Sequence, residues 1–262
     1  MTFSLDTITL GVPQVETAHA FYTAAFSPGV VGDELDLHGT GRLALRRIDA
    51  LAADAGTDPA TSGFRGYVLS AIVDQPGEVE ALLANATANG ATVVKPAKKQ
   101  LFGEFTAVYR APDGAVWKLA TAAKKNTGPL RTPVKPSETA LYLGVARPKE
   151  SKVFYEALGM SVDRDYGDKF VDFTVTGGAC RLGLMTRKAL AKDTGVDEGG
   201  SGFPAVGLTH TAASRDDVDA LLKTADSAGA RVADAAARTG EGDYAGHFTD
   251  PDGYHWTVAA RA

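Results

Sequence analysis

Histidines, one cysteine and scattered carboxylates are the side chains of this 262-residue sequence that can do chemistry near neutral pH. His255 and Thr257 lie two residues apart in a strand-like segment, so alternation puts them on one face and Trp256 on the other. A neutral imidazole at that place hydrogen-bonds a ligand or takes a proton as a general base; a polar wall residue without chemistry is the competing reading. His210 alternates with Leu208 and Ala212, opposite Thr209 and Thr211, and is expected to be structural. His19 falls on a helical stretch and His38 near a loop, and neither is given a role. Cys180, in a Gly-Gly-Ala-Cys-Arg-Leu run, has no histidine beside it in sequence and is not expected to be a nucleophile. Asp172, Asp193 and Asp197 are too dispersed to place a general acid–base pair. The glycines form neither G-x-G-x-x-G nor G-x-x-x-x-G-K-[ST], so no phosphate cradle is indicated.

Those residues need elements to hold them. Residues 240–262 read as strand, turn and strand: 244–249 mix aromatic, β-branched and small residues, and Asp250-Pro251-Asp252-Gly253 supplies the turn. The hairpin occurs once before, from Phe105 through Pro112-Asp113-Gly114 to Trp117, at an offset of 139 from Tyr244, Pro251-Asp252-Gly253 and Trp256. Ser62-Gly63-Phe64 recurs as Ser201-Gly202-Phe203 and Gly90 as Gly229 at that offset, while Phe21-Tyr22 and Phe154-Tyr155 differ by 133. The chain is therefore two copies of one unit, with one six-residue insertion expected within 158–181, a stretch that includes a polar loop over 163–168.

In chain order, the first copy predicts a strand over 5–12, a helix over 15–25 started by Pro13, and short strands over 29–37 and 42–46. A helix-like 51–56, a strand over 67–73, a helix over 77–89 stopped by Gly90, a strand over 92–94 and the hairpin follow. Each copy reads β-α-β-β-β twice over, and Trp117 and Trp256 are expected in the core against the helices. Residues 1–121 and 138–262 are taken as the two domains. The proline-bearing stretch 122–137 is their linker, long enough to cross a domain.

Composition is that of an ordinary globular chain, 44% hydrophobic and 23% charged. A net charge of −5 without a basic block argues against a nucleic-acid partner, and Lys98-Lys99 and Lys124-Lys125 are expected on solvated loops. One cysteine cannot form an internal disulfide, the start has no signal-peptide pattern, and no window approaches a membrane span. A cytoplasmic protein with no membrane partner is expected.

The motifs Leu10-Gly11-Val12 and Phe21-Tyr22, Ser62-Gly63-Phe64, Ala111-Pro112-Asp113-Gly114 with Trp117, and their repeats through Asp250-Pro251-Asp252-Gly253 and Trp256, resemble the vicinal oxygen chelate superfamily of glyoxalase I, bleomycin-resistance proteins and extradiol dioxygenases. The resemblance covers both copies and leaves out only the linker. It implies an α+β fold, a tandem repeat of two glyoxalase-like domains. Each holds two βαβββ modules whose curved mixed sheets form a cup with the helices outside, and the copies pack as a symmetric dimer does. Whether a cup forms within a copy or across copies is left open.

In metal-dependent relatives a His or Glu sits on first and last strands of the modules. Carried over one by one, those positions fall on Thr7, Val68, Lys118 and the segment 42–46 in the first copy, and on Ala140, Gly207, Thr257 and the segment 181–185 in the second. None is a carboxylate or histidine, so no metal and no cofactor are expected. The resemblance makes Tyr142, Thr209, Thr211, Tyr244, His255 and Thr257 the cup-facing candidates of the second copy, and Thr7, Thr9, Ser70, Phe105 and Lys118 those of the first. The second copy is expected to hold the better-developed polar site, suited to a neutral ligand, whereas Lys118 favours an anion. The implied function is metal-independent binding of a small organic ligand, such as a sequestered toxic natural product, by a chain that is a pseudo-dimer in itself and a monomer in solution. The alternative is a glyoxalase-like lyase or isomerase.

Overall fold

A computed structural model of the chain describes residues 2–100, 103–175, 177–240 and 242–261. The first module comprises β1 (Thr7–Val12), α1 (Val15–Phe26), β2 (Gly29–Val31), β3 (Glu34–Asp36) and β4 (Arg42–Arg47). A short helix, α2 (Ile48–Asp54), and β5 (Thr61–Gly63) lead into β6 (Tyr67–Ile72), α3 (Pro76–Ala88), β7 (Thr92–Lys99), β8 (Phe105–Arg110) and β9 (Val116–Thr121). The second copy repeats the order: β10 (Glu138–Val145), α4 (Pro148–Ala157), β11 (Val162–Asp165), β12 (Val171–Phe173) and β13 (Arg181–Thr186), then α5 (Arg187–Thr194) and β14 (Gly200–Gly202). It ends with β15 (Val206–Thr211), α6 (Arg215–Ser227), β16 (Arg231–Val232), β17 (Ala237–Arg238), β18 (Tyr244–Thr249) and β19 (His255–Ala260). The four βαβββ modules are thus present, two per copy.

Local chemistry explains these boundaries. Ser214 accepts a hydrogen bond from the Asp217 amide at 3.2 Å and caps α6, which buries Val218, Leu221, Leu222 and Ala225 at helical spacing. Pro76 and Pro148 occupy the first turns of α3 and α4, where a missing N–H costs nothing. In the last hairpin, Asp250 Oδ1 accepts from the amides of Asp252 and Tyr254, and Gly253 takes φ of 93° as the turn requires.

The strands form two large sheets, ordered β16-β18-β19-β15-β1-β4-β3-β2 (with β17 beside β18) and β11-β12-β13-β10-β6-β9-β8-β7. Each joins a module of one copy to a module of the other: β1 pairs antiparallel with β15, Thr7 opposite Thr209, and β10 pairs with β6, Ala140 opposite Ser70. The cups therefore form across the copies. A third pairing, β5 with β14, sets Ser62 opposite Ser201 on the pseudo-twofold axis. A Cβ at Gly202, already at φ of 87°, would lie 2.1 Å from the Ala60 carbonyl oxygen, which accounts for glycine in this repeated motif.

Within a copy the contact is instead made on the helix side. Trp117 is fully buried, 4.7 Å from the Phe26 ring, and Tyr22 donates to Asp113 at 2.7 Å. Trp256 and Tyr155 repeat the arrangement, with Tyr155 donating to Asp250 at 2.5 Å. The helix-bearing faces of both sheets share one continuous core.

Four sequence expectations change. Residues 29–37 split at Gly32-Asp33 into β2 and β3, and β7 runs on to Lys99, so Lys98-Lys99 lies on a sheet edge, where charge discourages edge-to-edge pairing. The polar stretch 163–168 begins as strand β11. The inserted residues are divided between the β11–β12 hairpin, whose turn carries a 3-10 helix at Gly167–Lys169, and the loop from β12 to β13. The linker is pinned to the first copy: Gln75 accepts from the Thr127 amide at 2.9 Å and Arg131 donates to Glu78 at 2.7 Å.

Candidate functional site

Register defines what faces each cup. Across the middle of cup 1 runs Arg42, Thr7, Thr209, Thr257, His247, and beside it Ala44, Thr9, Gly207, His255, Thr249. Thr7 donates to Glu34 Oε1 at 3.1 Å, and Arg42 to Glu34 Oε2 at 3.0 Å. His247 Nδ1 lies 3.1 Å from the Thr257 hydroxyl, and its ring stacks on His255 at 5.3 Å between centroids. His255 is 5% exposed, and its Nε2 is buried without a hydrogen-bond partner. Burial, reinforced by neighbouring His247 and opposed by Asp54, pushes the His255 pKa down to about 4. The ring is uncharged at neutral pH.

Across the middle of cup 2 runs Arg181, Ala140, Ser70, Lys118, Val108, and beside it Gly183, Tyr142, Val68. Lys118 Nζ donates to Asp193 at 2.9 Å and lies 3.9 Å from Glu104. Its side chain is 17% exposed. Arg181 bridges Glu138 and Asp163, each at 2.7 Å, and Arg164 pairs with Asp172. Tyr142 fits because residue 183 is glycine: a Cβ there would lie 2.5 Å from the tyrosine ring. Burial, then the Glu138 charge, raises the Tyr142 pKa.

Each cup is partly filled by the short helix after its module. Leu51 and Ala52 of α2 cluster with Phe203 and Ala205 in cup 1. Leu190 and Ala191 of α5 cluster with Phe64, Val68, Val108 and Val116 in cup 2. What stays open in cup 2 is a cleft of about 510 Å³ lined by Lys95, Gln100, Glu104, Thr106, Lys118 and Asp193. Lys95 is engaged with the last carbonyls of α5, at 2.6 Å from that of Asp193.

Of the sequence candidates, Thr7, Thr9, Thr209, His255 and Thr257 meet in cup 1, and Ser70, Tyr142 and Lys118 in cup 2. Tyr244 and Phe105 do not face a cup. Tyr244 opposes Ala260, and its hydroxyl bonds Asp219 of α6 at 2.9 Å; Phe105 opposes Thr121 and packs on the helix-side core. Each hairpin register puts its odd or even set inward, and the aromatic residue begins the outward set. Thr211 lies exposed at the end of β15, its amide held by Asp6 at 2.6 Å. His210 lies 3.2 Å from the Ser4 amide and packs on Phe3, and Cys180 is buried, its thiol pushed up to about 12 by burial. Sequence reading gives no role to His247, Glu34 or Asp193, misses α5, and finds α2 only as a helix-like 51–56 with no place in the cup. Symmetry of the last hairpin about its turn, which sets His247 opposite Thr257, is the signal that finds the first.

A divalent ion does not fit either centre. The four first- and last-strand residues that meet are Thr7, Arg42, Thr209 and Thr257 in one cup, and Ala140, Arg181, Ser70 and Lys118 in the other. Neutral hydroxyls are weak ligands, and a guanidinium or ammonium repels a cation. Among the described residues no three His, Cys, Asp or Glu side chains are grouped to hold one. The metal-ligand positions had been grouped by copy in sequence; the crossed sheets set Lys118 with Ala140, and Thr7 with Thr257.

Paired βαβββ modules with cup-forming sheets define a duplicated, pseudo-symmetric cup protein of the glyoxalase type. The family model for the Glyoxalase/Bleomycin resistance protein/Dioxygenase superfamily matches residues 4–119 and 138–258, and the chain belongs to that superfamily. Among solved structures it is similar to glyoxalase I from Zea mays, at 17% identity and a TM-score of 0.66, covering 99% of this chain and 92% of that one. A protein described as a dioxygenase from Bacillus subtilis subsp. subtilis str. 168 is similar at 16% identity and a TM-score of 0.63, covering 99% and 85%. These likenesses concern the fold. No curated protein matches the chain in sequence. Among the described residues no helix is long and apolar enough to cross a membrane.

Proposed function

We propose that the chain is a metal-independent binder of small organic molecules, and that cup 2 receives an acidic group of its ligand on Lys118. The observation that carries this is a cation at the centre of a family cup, on the wall of a cleft of about 510 Å³. The side chain of its partner Asp193 is 41% exposed and lies in the last turn of a short helix, so a ligand carboxylate can take its place on the ammonium. What supports retention over turnover is the state of the lining: Lys118 is held by Asp193 with Glu104 close by, and burial keeps Tyr142 protonated. Both cups are complete within one chain, so binding calls for no second copy, nucleic acid or membrane, and a cytoplasmic place suits a chain with one buried free thiol.

Native mass spectrometry of protein purified from its own cells tests for a retained molecule. Calorimetry with acetate, malonate and benzoate tests the acidic group: Lys118→Met is expected to weaken the best binder at least tenfold, about 1.4 kcal/mol. Equal affinity in the variant, or turnover of the retained compound by wild-type protein, overturns the reading.

A further inference from the structure

Two lysines of cup 2 converge on one residue. Lys118 Nζ donates to the Asp193 carboxylate at 2.9 Å, and Lys95 Nζ donates to the backbone carbonyl of the same aspartate at 2.6 Å. Lys95 also reaches the Lys192 carbonyl at 3.3 Å, and it passes Gly195, where a Cβ would lie 2.4 Å from its Cε. Among the described residues its hydrogen-bond partners are thus neutral oxygens at the end of α5, and its charge has no carboxylate against it. Lys95, Lys118 and Asp193 all line the open cleft. At the places of the two lysines in cup 1, 139 residues further on, stand Asp234 and Thr257, so the pair belongs to cup 2 alone.

We propose that cup 2 selects a short dicarboxylate of succinate length, with one carboxylate on Lys118 and the other on Lys95. This rests on the acidic-ligand reading of the same cleft and adds the second acid and its spacing. Asp193 itself is the template. Its backbone carbonyl and its carboxylate are joined through Cα and Cβ, which is the carbon skeleton of succinate, and each end occupies one ammonium. The aspartate is a tethered stand-in that carries a charge at only one end. A free dicarboxylate gives Lys95 an ionised acceptor in place of neutral carbonyls, and a charge-assisted hydrogen bond is roughly twice as strong as a neutral one. The exchange asks for no movement of the helix. The Asp193 side chain is 41% exposed and can turn to solvent, while Leu190, Ala191 and Thr194 stay buried beneath it. Glu104 lies 3.9 Å from Lys118 and opposes an incoming anion, but its side chain is 58% exposed and is screened by solvent.

Calorimetry on the full chain at neutral pH, where both carboxyls of succinate are ionised, compares succinate with butyrate, the same chain bearing one acid. Succinate is expected to bind at least tenfold more tightly than butyrate, and more tightly than malonate or adipate. Lys95→Met is expected to bring succinate down to the level of butyrate and to leave butyrate unchanged. The wild-type comparison decides the matter even if that variant fails to fold. Equal binding of succinate and butyrate, tighter binding of malonate or adipate, or a Lys95→Met loss shared by both acids overturns this inference and leaves the acidic-ligand reading standing. Failure of every acid to bind wild-type protein overturns both.

Discussion

The two cups share one backbone plan and differ in nearly every polar side chain that faces inward. Where cup 1 sets Thr7 and Thr257, cup 2 sets Ala140 and Lys118; where cup 1 stacks His247 on His255, cup 2 packs Val108 and Val116 beneath α5. The plugging helices carry matching carboxylates in their last turns, Asp54 and Asp193, but Asp54 is tied to Arg46 whereas Asp193 reaches into the cup to Lys118. The features that survive on both sides belong to the scaffold: the Trp–Tyr–Asp packing behind each hairpin, the Arg42–Glu34 and Arg181–Asp172 pairs, and the glycines on the pseudo-axis. Duplication held the frame and let the linings diverge, one toward a fixed charge and one toward uncharged hydrogen-bonding groups.

The largest effect should come from cutting the comparison apart. Because each sheet draws strands from both copies, a chain ending at Thr121 loses the β1–β15 and β6–β10 pairings together. Residues 1–121 alone are expected to give no folded monomer by size-exclusion chromatography and circular dichroism. A monomer that melts cooperatively would show that a copy is self-sufficient.

Next in size is the acid response of cup 1. The His255 pKa is about 4 in the folded chain and near 6.5 in the unfolded one, so between those values the unfolded state binds the extra proton. Its contribution is fully present above pH 6.5 and is lost as pH falls toward 4, by on the order of 3 kcal/mol. Asp250, raised by burial to about 7, works in the opposite sense and loses its contribution as pH rises through that value. The test is therefore a difference: urea melts of wild-type and His255→Phe protein from pH 7 to 4, with the gap between them changing by that amount. A constant gap would mean that the ring is open to water.

How much of this was legible beforehand follows from the same residues. The fold was legible because turns and aromatic anchors repeat at a fixed offset: Pro112-Asp113-Gly114 and Trp117 recur as Pro251-Asp252-Gly253 and Trp256, and those residues make the hairpin and its buried back. The lining was legible only where alternation within one strand decides it, as for Thr7 with Thr9, or His255 with Thr257. The family resemblance implies Tyr244 and Phe105 as cup-facing, whereas hairpin register turns them toward the helices. The crossing of strands between copies, which brings Thr7 to Thr257, rests on long-range pairing that no local pattern encodes.

The smallest effect is expected at Lys118. Asp193 is 41% exposed, so solvent screens the pair, and Lys118→Met should change stability by less than about 1 kcal/mol. Hydrogen exchange of α5 should nevertheless quicken, since Asp193 would lose a tie that holds the helix over the cup. A large loss of stability would mark the pair as structural and weaken the case for a ligand there.

The measurement that bears most directly on the whole account is a thermal melt of chelator-dialysed protein with and without micromolar Zn²⁺, Ni²⁺ or Mn²⁺. Cup 1 has two stacked imidazoles beside hydroxyls and an arginine, and cup 2 a lysine and an arginine; among the described residues neither groups three His, Cys, Asp or Glu side chains for a divalent ion. The account predicts melts that coincide within about 1 °C. An upward shift of several degrees, on the order of 1 kcal/mol or more of linkage, would contradict it.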